Sequence, residues 1–139
     1  MTAKKLKTVN VEKNDYKVFL KKARDFYEVM LNARDTGNWT AVGLNAVHCA
    51  ISCCDAMLTF HLGLRSAGED HMRAVDLLMR LPPTFENGEA NTFKRIIAKK
   101  NLIAYENREF RQTEAIDILK LAERFYCWTI SKLPVLTII

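Results

Sequence analysis

WTAVGLNAVHCAISCCDAMLTFHLGL, residues 39–64, decides the fold. Across this run the only Asp, Glu, Lys or Arg is Asp55. A helix that is apolar nearly all round lies at the centre of a bundle, not on its surface. The stretch 41–64 is long enough to raise the question of a membrane span. Asn45, His48, Asp55 and His61 argue against one, because polar and ionisable groups are costly in lipid. The expectation is a central buried helix over about 39–66, ended by Gly68, in a soluble cytoplasmic domain with no membrane association.

The flanks supply the rest of the bundle. Upstream, Tyr16, Phe19, Leu20, Ala23, Phe26, Tyr27, Met30 and Leu31 recur at helical spacing with Lys and Arg opposite. Asn14 or Asp15 caps that helix, Gly37 ends it and Asn38 caps the next. Downstream, Glu69 or Asp70 opens a short helix over about 71–81, stopped by Pro82 and Pro83. A loop at 84–88 leads to a fourth helix over about 89–105. Asn107–Gln112 reads as a polar connector, and Thr113 caps a fifth helix over about 114–133, which Pro134 terminates. Short connections between such helices give an up-and-down antiparallel bundle of four long helices and one short helix, an all-α fold. The 139 residues, 49% of them hydrophobic, suffice for one domain, and 5 Gly and 3 Pro are too few turn formers for a sandwich or barrel. The expected layout is a flexible basic leader over 1–13, a single domain over 14–133 and an apolar tail over 134–139.

The net charge of +5 is uneven. Residues 1–13 carry a local +3, and residues 91–111 carry +4 through Lys94, Arg95, Lys99, Lys100, Arg108 and Arg111 against Glu106 and Glu109. Such a segment attracts phosphate, nucleic acid or an acidic partner, or simply solvates a helix face. Cys49, Cys53, Cys54 and Cys127 form no CxxC pair, so they read as reduced, mostly buried thiols. No metal site and no cofactor are expected. Gly-rich phosphate loops and hydrolase motifs are absent from the sequence.

Two constellations could carry chemistry. On the central helix, Asn45, His48, Ser52, Asp55 and Thr59 follow 3-4-3-4 spacing and share one face, a candidate polar cleft wall. On the fourth helix, Lys100 falls within an apolar stripe of Phe93, Ile96, Ile97 and Ala104, where it must snorkel, pair or face a wet cleft. Ala98 and Leu102 form a second apolar strip on nearly the opposite side, which suits a partner surface.

The run Lys100, Asn101, Leu102, Ile103, Ala104, Tyr105, Glu106, followed by a polar connector and Thr113-Glu114-Ala115-Ile116-Asp117, resembles the last two helices of HEPN domains. The long central helix and the short helix opened by Asp70-His71 resemble their front half, so the likeness spans about residues 15–133. The resemblance implies a homodimeric helical bundle that binds a nucleotide or RNA, or that accompanies a nucleotidyltransferase or antitoxin partner in a toxin–antitoxin pair. Many such domains are metal-independent endoribonucleases with an Arg-x4-6-His pattern on this helix. Here Lys100 stands at the Arg position, Asn101 at the polar one and Tyr105 at the His position. Lys is a point charge where Arg offers a fork, and a tyrosine with a pKa of ~10 moves protons poorly near neutrality. The resemblance therefore implies a non-catalytic binding domain using Lys100, Asn101 and Tyr105, with Arg95 and Lys99, and a ribonuclease as its alternative. Arg65 and His71 also match the Arg-x4-6-His spacing, but they straddle a helix end and read as a chance match.

Overall fold

The computed structural model describes residues 8–67, 71–85 and 88–134. Strand β1 (Thr8–Asn10) and a 3-10 turn (Lys13–Asp15) lead into α1 (Tyr16–Asp35) and α2 (Trp39–Leu62). Strand β2 (Leu64–Ser66), α3 (His71–Leu78), a 3-10 turn (Pro83–Phe85), α4 (Gly88–Ile97), α5 (Lys100–Tyr105) and α6 (Gln112–Ser131) follow. The molecule is a mostly helical bundle packed antiparallel, with one two-stranded antiparallel sheet among the described residues.

Helix α2 is the central element. Thirteen of its residues are buried, from Val42 to Thr59, and α1, α6, α5, α3 and α4 all pack on it. It is long and apolar enough to cross a membrane by length and composition, yet 67% of its most apolar window is buried inside the bundle. Its start is fixed by Asn38, whose side-chain oxygen accepts the Ala41 amide at 3.3 Å. Around it, α1 contributes Tyr16, Leu20, Ala23 and Met30, α4 contributes Phe93 and Ile96, and α6 contributes Ile118, Ala122 and Phe125. Each large apolar side chain taken out of water contributes about 1.5–3 kcal/mol before entropy is counted.

The end of α2 departs from expectation. It stops at Leu62, where Gly63 takes a left-handed conformation (φ +67°). The chain then runs as β2 antiparallel to β1, with Thr8 opposite Ser66, Val9 opposite Arg65 and Asn10 opposite Leu64. A strand ladder thus holds residues 8–10 of the segment expected to be a flexible leader. Gly68, Glu69 and Asp70, proposed as breaker and caps, lie outside the described residues, as do residues 1–7 and 135–139 of the leader and tail.

The fourth helix is broken in two. At its end the Lys99 amide reaches back three residues to the Ile96 carbonyl (3.1 Å), a tightened turn, and the α-helical pattern resumes with the Ile103 amide on the Lys99 carbonyl (3.0 Å). The break lets Ile103 turn inward while Ala104 stays exposed, so the expected stripe of Phe93, Ile96, Ile97 and Ala104 ends at the elbow. Gly43 of α2 makes room for this: a Cβ there would lie 2.9 Å from Ile103 and 2.7 Å from Phe110. The second strip is likewise divided, since Ala98 is exposed at the elbow and Leu102 is half-buried against the core. Helix α6 starts one residue before Thr113, and the Glu114 carboxylate accepts the Arg111 amide at 3.2 Å.

Candidate functional site

The elbow between α4 and α5 separates two consecutive lysines. A helical step turns the chain by about 100° per residue, so neighbours cannot share a face. Lys99 and Arg95 line a groove against α6, closed on the other side by Glu114, Asp117, Ile118, Lys120 and Leu121. Ala98, Ile118 and Leu121 give it an apolar floor, and its volume is about 660 Å³, within the range of small-ligand sites.

Charges in the groove differ in how they are employed. Glu114 is fully engaged: both its oxygens accept from the Arg108 guanidinium, at 2.8 and 2.7 Å. That fork holds its carboxyl down to about 2, and the Arg111 amide adds to the effect. Arg95, Lys99, Lys120 and Asp117 make no side-chain hydrogen bond or ion pair among the described residues. Three cations are therefore left for an anion entering from solvent.

Lys100 is half-buried and within electrostatic reach of His48 on α2. The His48 ring stacks on Phe26 of α1, with centroids 5.3 Å apart and planes 29° from parallel. Though exposed, the His48 ring loses part of its hydration, which pushes it below the usual histidine pKa, and the Lys100 charge pushes the same way. Neutral imidazole is thus favoured beside the lysine. Asn101 and Tyr105 face solvent, and Tyr105 is 78% exposed. The five residues singled out on this helix therefore divide three ways: Arg95 and Lys99 in the groove, Lys100 beside His48, and Asn101 and Tyr105 in open solvent.

The polar stripe of α2 does not line one cleft. Asn45 donates its amide to the Ala41 carbonyl at 2.8 Å, one turn back in its own helix. His48 is exposed, whereas Ser52 and Thr59 are buried. Asp55 sits lower, where Arg65 and Ser66 of β2 and His71 of α3 meet it around a cavity of about 30 Å³ walled by Ile51, Cys54, Ala74 and Phe93. Burial raises the Asp55 carboxyl to about 6 even though Arg65 and Lys22 oppose the shift. The Arg65 guanidinium also lies 5.4 Å from the centre of the Phe19 ring. Arg65 and His71, read as an accidental spacing, thus meet at one cavity. It has room for about one water molecule and none for a nucleotide.

Cys49, Cys53 and Cys54 are buried free thiols, and burial pushes Cys53 and Cys54 well above the ordinary thiol range. Cys127 is exposed, an exception to the burial expected for most of the thiols. Lys120 and Asp117 escaped the sequence reading because nothing local distinguishes them. They matter only once α6 is laid against the end of α4.

No known protein family, curated protein or solved structure matches this chain.

Proposed function

We propose that this chain is a HEPN-type helical bundle that binds the phosphate of a nucleotide or an RNA strand between α4 and α6 without cleaving it. The observation that carries the reading is the convergence of Arg95, Lys99 and Lys120, unpaired among the described residues, on one groove of about 660 Å³. Phosphate is the ligand such a set of cations suits, and Arg adds a two-pronged grip that Lys lacks. Lys100, on the far side of the elbow, extends the positive surface towards His48. Absence of cleavage is supported by Tyr105, which is exposed and makes no side-chain hydrogen bond among the described residues. The homodimer, and a nucleotidyltransferase or antitoxin partner, belong to this proposal through the resemblance alone, because Leu102 of the expected partner strip packs on the core.

One observation favours the second reading, an endoribonuclease. His48 lies within electrostatic reach of Lys100 and is a proton-transfer group of the kind Tyr105 is not. A single pair of assays separates the two. Fluorescence anisotropy with a labelled RNA decamer should show binding that weakens about tenfold when Arg95 and Lys99 are both changed to Ala. The same RNA, incubated with the protein and run on a gel, should remain intact. Cleavage that disappears in His48→Ala would establish the ribonuclease reading instead.

A further inference from the structure

The groove holds a group that phosphate binding alone does not explain. Asp117 sits on the α6 wall among Arg95, Lys99 and Lys120, where a carboxylate repels the very anion the cations attract. Glu114, the other acid in the groove, has a structural task, since Arg108 occupies both its oxygens and the Arg111 amide uses it to start α6. Asp117 has none. It is exposed, it makes no hydrogen bond or ion pair among the described residues, and it lies beyond the first turn of α6, where aspartate is a poor helix former.

An ionised carboxylate only accepts hydrogen bonds, so its complement is a neutral donor that travels with the phosphate. The ribose hydroxyl is such a donor, one sugar away from the phosphorus. Resting on the phosphate-binding reading, we infer that Asp117 is a specificity-determining residue that accepts a hydrogen bond from the 2′-hydroxyl of a ribose phosphate held by Arg95, Lys99 and Lys120. The ligand chemistry is a ribose phosphate, supplied by an RNA strand or by a free ribonucleotide. Carboxylates read ribose hydroxyls in this way in dinucleotide-binding folds, and the 2′-hydroxyl is what distinguishes RNA from DNA. A bare polyanion track would have no use for the acid.

The test measures anisotropy of a labelled RNA decamer and of DNA of the same sequence, on the full chain and on Asp117→Ala. Circular dichroism confirms that the variant keeps its helix content. The unmodified chain should prefer RNA by about tenfold, the scale of one hydrogen bond to a charged group. Asp117→Ala should bring the two affinities together by weakening RNA. Displacement of the RNA by AMP but less well by dAMP would assign the site to free ribonucleotides. Failure of AMP to displace RNA, with the RNA preference intact, would assign it to a strand; both results support the role of Asp117. Equal binding of RNA and DNA by the unmodified chain overturns it, as does an equal strengthening of both in Asp117→Ala, the mark of a merely repulsive rim charge. Either of those leaves phosphate binding standing. If neither nucleic acid nor AMP binds, the parent reading falls with this one.

Discussion

Two places in this bundle gather the same kinds of side chain and use them differently. The α4–α6 groove holds Arg95, Lys99, Lys120 and Asp117 around about 660 Å³ of open space. The cavity between α2, β2 and α3 holds Asp55, Arg65 and His71 around about 30 Å³. In the cavity the low dielectric acts on the charges, and burial raises Asp55 to about 6. In the groove water screens them, so the exposed Asp117 weighs little on the fold. The difference is one of position: β2 and α3 close over the lower part of the α2 face, whereas the face of α6 beside the end of α4 stays open. Charged residues of one chemistry are therefore enclosed in one place and open to solvent in the other.

The strongest perturbation acts on the close approach of α5 to α2. Gly43→Leu should destabilise the protein by more than about 3 kcal/mol, because even its Cβ would lie 2.7 Å from Phe110 and 2.9 Å from Ile103. Urea unfolding measures this. A variant as stable as the parent would show that α5 does not need the close approach.

Next in size is the half-buried acid of the cavity. The folded-state pKa of Asp55 is raised, from 3.8 to about 6. Its charged form is thus disfavoured by folding, and stability from this group is lost as pH rises from about 4 through 6. At pH 7 the charge costs about 3 kcal/mol, because each tenfold loss of acidity on folding is worth about 1.4 kcal/mol. Asp55→Asn should recover most of that at pH 7 and little at pH 4, read from unfolding free energies at the two pH values. Equal effects at both would show that ionisation of Asp55 is not the cause.

Asp117→Asn in the groove should change stability by less than about 0.5 kcal/mol at either pH, as expected of an exposed position. A large change in the same unfolding assay would erase the contrast between the two regions.

Much of this was legible in the residues. The near absence of charge from 39 to 64 placed α2 at the centre, and the 3.6 periodicity of Tyr16 to Leu31 placed α1 against it. The elbow was not legible, because the tightened turn at Lys99 leaves no Gly or Pro in the sequence and depends on the space at Gly43, more than fifty positions away. The strand pair was missed for a related reason: Leu64-Arg65-Ser66 continues a helical pattern, and only the left-handed Gly63 and the pairing with Thr8–Asn10 turn it into a strand. Arg95 and Lys99 stood out by local charge. Lys120 and Asp117 did not, since their meeting with α4 is tertiary.

The central claim is that unpaired cations of the α4–α6 groove hold phosphate, and the salt dependence of RNA binding tests it most directly. For a single strand, each phosphate contact contributes about −0.7 to the slope of log K against log salt. Three cations predict a slope of about −2 for the unmodified chain, flattened by about 0.7 with each of Arg95→Ala, Lys99→Ala and Lys120→Ala. A slope that stays the same when all three are removed would place the phosphate elsewhere and contradict the account.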